Sequence, residues 1–175
     1  MSKHFTLLLA LLASVFAGCR QAPAGPTKSK PDVQAGEIGS RLPSFTVLDL
    51  QGHAISSADL RGKVVLIDFW ATWCQPCKKE MPGYQTLLNR YGPRGFAVIG
   101  FKFDTMTDTE NPLQFVQKIG VHYPLAVASD NVKEKFGGII GLPTTMIYDR
   151  SGILRQKIIG FEYTNVVEED LKLLL

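Results

Sequence analysis

Cysteine is scarce, with three residues in a chain of 175. An odd count would leave one cysteine unpaired in an oxidising compartment. One pair alone also cannot complete a four-ligand structural zinc site, and neither His53 nor His122 stands at ligand spacing from it. Charge of one sign is scarce too: the formal net charge is +3. It is dispersed and comes with no arginine–aromatic cluster, which excludes a nucleic-acid surface. Long apolar runs are missing, since residues 5–16 form the longest. That is short of the roughly 20 residues that span a bilayer. No internal repeat and no second domain can be made out. What is present is ordinary for a globular protein, 45% apolar and 20% charged residues, so a single domain with a real core is expected.

The first eighteen residues read as an export signal. Lys3 and His4 are followed by the apolar run, broken only by Thr6 and Ser14, and then by the small residues Ala17 and Gly18. Phe16-Ala17-Gly18-Cys19 resembles a bacterial lipoprotein box, with Phe16 in place of the usual leucine. That resemblance implies that Cys19 is diacylated and that the peptide is cut before it. Each buried methylene of such an anchor contributes about 0.8 kcal/mol. The competing reading is an ordinary secretory signal that leaves Cys19 a free thiol. Residues 20–35 are Ala, Pro, Gly, Lys, Ser and Gln with no apolar period, which predicts a flexible tether. The expected organisation is a signal at 1–18, a lipidated Cys19 and tether at 19–37, and a folded domain at 38–175.

Within that domain residues 45–50 alternate apolar and polar, Gln51-Gly52 marks a turn and residues 53–56 return, which predicts a β-hairpin. Residues 63–71 (KVVLIDFWA) and 96–103 (FAVIGFKF) are near-continuous apolar runs, the pattern of strands buried on both faces. A helix is predicted over 75–91, ended by Gly92-Pro93, and another from Asn111-Pro112 to 119. A short strand at 123–128 and a short helix at 130–136 follow. Strands at 144–148 and 153–159 are joined by a turn at 149–152. Asn165 and Glu168 are read as a capping pair opening a last helix to 174. The order implies an α/β domain, a mixed sheet with helices on both faces.

The chemistry concentrates in Trp73-Cys74-Gln75-Pro76-Cys77. Haem attachment would need His where Lys78 stands. The remaining readings are a dithiol that cycles with a disulfide and an inert buried disulfide. Placement between a buried strand and a helix start favours the first. Free N–H groups and the helix dipole there stabilise thiolate, holding the Cys74 thiol below its ordinary value of about 8.5. Cys77, one turn on, can attack a mixed disulfide formed at Cys74. Cys74 is therefore expected to be the exposed nucleophile and Cys77 the shielded resolving thiol.

The run Val64-Val-Leu-Ile-Asp-Phe-Trp-Ala-Thr-Trp-Cys-Gln-Pro-Cys-Lys78 resembles the thioredoxin superfamily, and within it the TlpA/ResA-like extracytoplasmic branch of redoxin-type lipoproteins. The likeness runs from about Ile38 to the C-terminus. It implies a thioredoxin fold with an N-terminal hairpin extension. Gly141-Leu142-Pro143-Thr144-Thr145 matches the cis-proline loop, with Pro143 lying against the cysteines and the adjoining backbone pairing with a substrate peptide. Asp68 matches the buried acid of cytoplasmic thioredoxins, where many members of this branch have Asn; it would take the proton from Cys77, the alternative being an acid that reaches solvent from the strand. Glu80 resembles an acid near the thiols in ResA-like proteins, which would raise thiol pKa values by like-charge repulsion; a solvated helix face is the alternative. Trp73 and Pro76 are implied as supporting residues, Trp73 partly covering the nucleophile, while Trp70 fits a core position equally well. Lys78 and Lys79 read as solvated surface, and Pro82 as a kink in the helix.

The resemblance implies an enzyme that reduces extracytoplasmic protein disulfides from a membrane anchor. It would need no cofactor beyond the redox-active disulfide and would be recharged by a membrane thiol-reductant donor. Apocytochrome c, with its oxidised haem-binding cysteine pair, is the commonest substrate in that branch. A peroxidase of the peroxiredoxin type is a competing reading, weakened because the Pro-x-x-x-Thr/Ser-x-x-Cys setting is missing before Cys74. A non-catalytic lipoprotein that binds clients through the same surface is a third.

Overall fold

The computed structural model of the protein describes residues 33–103 and 110–175. The signal at 1–18, the lipidation site Cys19 and the tether as far as residue 32 lie outside the described residues. The chain then runs β1 (Thr46–Leu48), β2 (Ala54–Ser56), β3 (Val64–Trp70), α1 (Gln75–Tyr91), β4 (Phe96–Lys102), α2 (Pro112–Lys118), β5 (Leu125–Val127), α3 (Asp130–Lys135), β6 (Thr144–Tyr148), β7 (Leu154–Ile159) and α4 (Thr164–Lys172).

Every residue of β3 is buried, which its uninterrupted apolar run predicts for a strand with neighbours on both edges and cover on both faces. It takes the centre of a five-stranded sheet of order β5-β4-β3-β6-β7. β3 runs parallel to β4 and antiparallel to β6; β4–β5 is parallel and β6–β7 antiparallel. The hairpin β1–β2 forms its own antiparallel pair, fastened to β5 by a hydrogen bond from Leu50 N to Leu125 O at 2.7 Å.

Alternation along β3 divides the core. Val64, Leu66 and Trp70 pack with Met81, Tyr84 and Leu87 of α1 and Val167 of α4. Val65, Ile67 and Phe69 face the other way, into an aromatic cluster in which Phe136 lies 5.3 Å from Phe69 and 5.6 Å from Phe101. Burying each such side chain contributes about 1.5–3 kcal/mol.

Packing includes residues just ahead of Ile38, and one sequence expectation, the cap of the last helix, is corrected. Gly36 is buried, its carbonyl accepts from Lys157 Nζ at 3.1 Å, and a Cβ on it would come within 2.1 Å of the Phe136 carbonyl oxygen. Its φ of +76° fits glycine as well. The last helix is not opened by an Asn165–Glu168 capping pair. It begins at Thr164 after Tyr163, which makes no side-chain cap bond. Glu168 instead accepts from the Tyr91 hydroxyl at 2.6 Å and pairs with Arg90 on α1, since a charged partner across the helix pair outweighs a local cap.

α1 and α4 meet at Gly83, where a Cβ would lie 1.9 Å from Thr164 Oγ1. Gly83→Ala should therefore cost about 1–3 kcal/mol of stability in urea denaturation, as overpacking does. Thr164→Ala in the same chain should recover part of that loss.

Candidate active site

Cys74 is the N-cap of α1, and its Sγ accepts from the Cys77 N–H at 3.3 Å. Pro76 occupies the first turn of the helix, where a missing N–H leaves no bond unmade. A disulfide joins Cys74 to Cys77, whose Cα atoms are 5.3 Å apart. On reduction the same geometry aims backbone N–H groups and the positive end of the helix at the Cys74 sulfur, which favours thiolate. The expected exposure needs correcting: Cys74 is only 4% accessible and Cys77 is at 0%. Capping the helix and bonding to a buried partner turn the Cys74 side chain inward. Both cysteines are thus buried, Cys74 marginally less so.

Beneath the pair lies a buried polar set. Glu80 follows Cys77 by three residues and Tyr84 follows Glu80 by four, so all three share the face of α1 that meets the sheet. Asp68 sits between Leu66 and Trp70 on the face of β3 that turns to α1, opposite Thr145 of β6. Both acids are buried, and among the described residues neither carboxylate has a donor in hydrogen-bonding geometry. The solvated-face reading of Glu80 is thus excluded. Burial pushes Asp68 up to about 7, with the facing Tyr123 hydroxyl offsetting part of the rise. Burial and then the Asp68 charge push Glu80 up to about 9, against the Glu162 backbone and the Tyr84 hydroxyl. The two acids titrate as a pair, and at neutral pH that pair holds a proton.

Three members of this set were not singled out from the sequence. Tyr84 donates to or accepts from Thr145 at 2.9 Å, tying α1 to β6. The loop carrying Tyr123 is held to α1 by Gln85, whose Oε1 accepts from His122 N at 2.8 Å and Tyr123 N at 3.1 Å. Burial raises the pKa of both tyrosines well above the ordinary phenol value, so they stay neutral. Tyr84 was findable: it continues the Cys77–Glu80 helical spacing. Tyr123 and Thr145 reach the site only through tertiary packing.

Pro143 is buried and follows the cis peptide bond Leu142-Pro143, immediately ahead of β6. Thr144 pairs with Phe69, which brings the loop to the end of β3 that leads into Cys74. Trp73 is 52% exposed, so it flanks the pair as a largely open face. Trp70 is core, stacked on Phe115 at 5.8 Å. Lys79 is exposed, but Lys78 is not simply solvated. Its Nζ stands 4.9 Å from the Phe115 ring centre and 3.8 Å from a Glu110 oxygen, because its aliphatic stem covers apolar surface. Among the described residues, no three His, Cys, Asp or Glu side chains gather where they could hold a metal ion.

This arrangement can be set against known proteins. The AhpC/TSA family profile matches residues 38–157. The chain belongs to the AhpC/TSA family. Within that family it is 36% identical over 137 residues to "Thiol-disulfide oxidoreductase ResA" of Bacillus thuringiensis subsp. konkukian, covering 78% of each chain. It is 30% identical to "Thioredoxin-like protein YneN" of Bacillus subtilis, over 84% of this chain and 85% of that one. Among solved structures, a thiol:disulfide interchange protein of the thioredoxin family from Chlorobium tepidum superposes with a TM-score of 0.71 at 29% identity, over 80% of this chain and 99% of that one. The fold is thioredoxin-like, and this member of the AhpC/TSA family is a thiol–disulfide oxidoreductase of the ResA type.

The two acids make stability depend on pH in a stated direction. Their folded pKa values lie above the unfolded ones of about 4, so the native state holds more protons and stability falls as pH rises from about 4 through 7 and 9. Thermal melts of the oxidised protein should drop in Tm between pH 5 and pH 9. Asp68→Asn with Glu80→Gln should remove most of that slope and raise Tm at the alkaline end.

Proposed function

We propose that the protein reduces disulfides of extracytoplasmic proteins while held to a membrane by lipid on Cys19. The observation that carries the reductive reading is the helix-capping Cys74, poised above two buried acids that are not saturated by hydrogen bonds. Cys74 thiolate attacks one sulfur of a client disulfide, forms a mixed disulfide and releases the other client sulfur as a thiolate. Cys77 loses its proton to the Asp68–Glu80 pair and attacks Cys74 Sγ. The second client sulfur leaves, two electrons have passed to the client, and the Cys74–Cys77 disulfide has formed. A membrane thiol donor returns the two electrons. Trp73 and the Pro143 loop present the open surface beside the sulfurs on which an extended client segment lies. The export signal and Cys19 support the location, and the resemblance to the TlpA/ResA-like branch supports an oxidised apocytochrome c as client.

In the native cell a Cys77→Ser variant should accumulate mixed disulfides through Cys74, recovered on non-reducing gels and identified by mass spectrometry. Apocytochromes c are expected among them, and a trapped set made only of other clients removes that part of the proposal. Reduced wild-type protein should reduce insulin, and Cys74→Ser should lower the rate to that of the chemical reductant alone. Rapid consumption of hydrogen peroxide would instead assign the pair to a peroxidase. Mass spectrometry of the mature chain should find an acylated Cys19 at the N-terminus; an unmodified Cys19 refutes the anchor.

A further inference from the structure

The cysteine pair occupies one end of the sheet, and a cavity occupies the other. β3 rises from Val64 to Trp70 over six steps, about 20 Å at the usual strand rise. β6 descends beside it from Pro143 to the 149–152 turn. At that lower end a cavity of about 510 Å³ opens between the N-terminal hairpin, the segment 60–63, α3 and the turn.

Its walls carry Arg41, Arg61, Lys63, Lys135 and Arg150 and no carboxylate at all. The chain's net charge is only +3, so five cations around one concavity are a local concentration that the composition conceals. Two of them are held in place by backbone oxygens. Arg150 donates to Gly62 O at 3.1 Å, Arg94 O at 2.8 Å and Leu175 O at 2.9 Å, and Lys135 Nζ donates to Ser44 O at 2.9 Å. Arg41, Arg61 and Lys63 have no ion-pair partner among the described residues. Other cations of the surface are matched, as in Arg155–Asp149, Arg90–Glu168 and Lys172–Glu169, but here the unmatched ones are gathered in one concavity. A group of like charges around a concavity, with apolar Phe45, Leu60 and Val65 beneath, sets up a positive potential that attracts an anion into the space. Guanidinium groups fit phosphate through paired N–H donors, and Ser44 and Ser151 add hydroxyls to the same lining.

We infer that this cavity binds a phosphate-bearing ligand, at a site separate from the redox centre. The phosphate comes from a soluble compound or from the headgroup of an anionic lipid. The inference does not depend on the direction of thiol exchange.

The full chain in detergent is titrated with inorganic pyrophosphate, read by ³¹P line broadening and by the shift in Tm. In parallel it is incorporated into vesicles of phosphatidylcholine alone or mixed with phosphatidylglycerol. Proximity of a spin label on Ser151→Cys to labelled headgroups is then measured, with Cys74 and Cys77 kept as the disulfide. Saturable pyrophosphate binding without headgroup proximity assigns a soluble ligand. Proximity only in the anionic vesicles assigns a lipid headgroup, and both together assign the phosphate group whichever molecule carries it. The triple variant Arg41→Gln, Arg61→Gln, Lys63→Gln should weaken whichever signal is seen by at least about tenfold, as losing charge-assisted bonds implies. Its insulin reduction should match wild type, which shows that it is folded. Neither signal in the wild-type chain, or a signal undiminished in a folded triple variant, overturns the inference.

Discussion

Seven consecutive side chains of β3 are out of water, and one of them is a carboxylate. That single constraint orders much of the rest. A strand flanked by β4 and β6 needs apolar cover on both faces, and α1 supplies one cover with Met81, Tyr84 and Leu87. Asp68 comes with the strand and is buried under the helix that carries the cysteines. Its desolvation could be avoided by Asn, but then the site would have no second group able to take up a proton there.

Glu80 compounds this cost. Two carboxylates in one dry layer cannot both ionise at neutral pH, so the layer holds a proton and its charge changes by steps as the proton leaves. Tyr84, bonded to Thr145, and Tyr123, held by Gln85 through its loop, are neutral hydroxyls that wall the acids in. Cys77 and Glu80 share one face of α1, and Cys74 caps the helix's N-terminus, so the disulfide and the acid pair are carried by the same helix. Stability and reactivity are drawn from the same groups, which is where a functional site departs from what packing alone would choose.

The two ends of the sheet are chemically unlike. At the end holding Pro143 and Cys74 the surface is open and partly apolar, with Trp73 at 52% exposure and Ile140 at 89%. At the other end the walls of the cavity are cationic. Antiparallel β6 joins the two, since Pro143 lies just before it and Arg150 just after it. One sheet thus carries the cysteine pair at one end and the cationic cavity at the other.

Much of this was legible in the sequence because it rests on local patterns. The run around Asp68 predicts a doubly buried strand, the Cys74–Cys77 spacing predicts a helix-capping redox pair, and Leu142-Pro143 matches the loop found there as a cis bond. What was not legible depends on residues far apart in the chain. Cys74 was expected to be exposed, but its inward turn follows from where α1 settles on the sheet. Glu168 looked like a cap until Arg90 and Tyr91, 77 or more positions away, proved to be its partners. Arg41, Arg61, Lys63, Lys135 and Arg150 are scattered over more than a hundred positions, and only closure of the sheet's lower end brings them to one cavity. Sequence alone determined the chemistry of the sulfurs and the strand beneath them, because nearest neighbours and period carry that information. Tertiary structure alone decided which acids, hydroxyls and cations share an environment, because burial and charge density are properties of the packed chain.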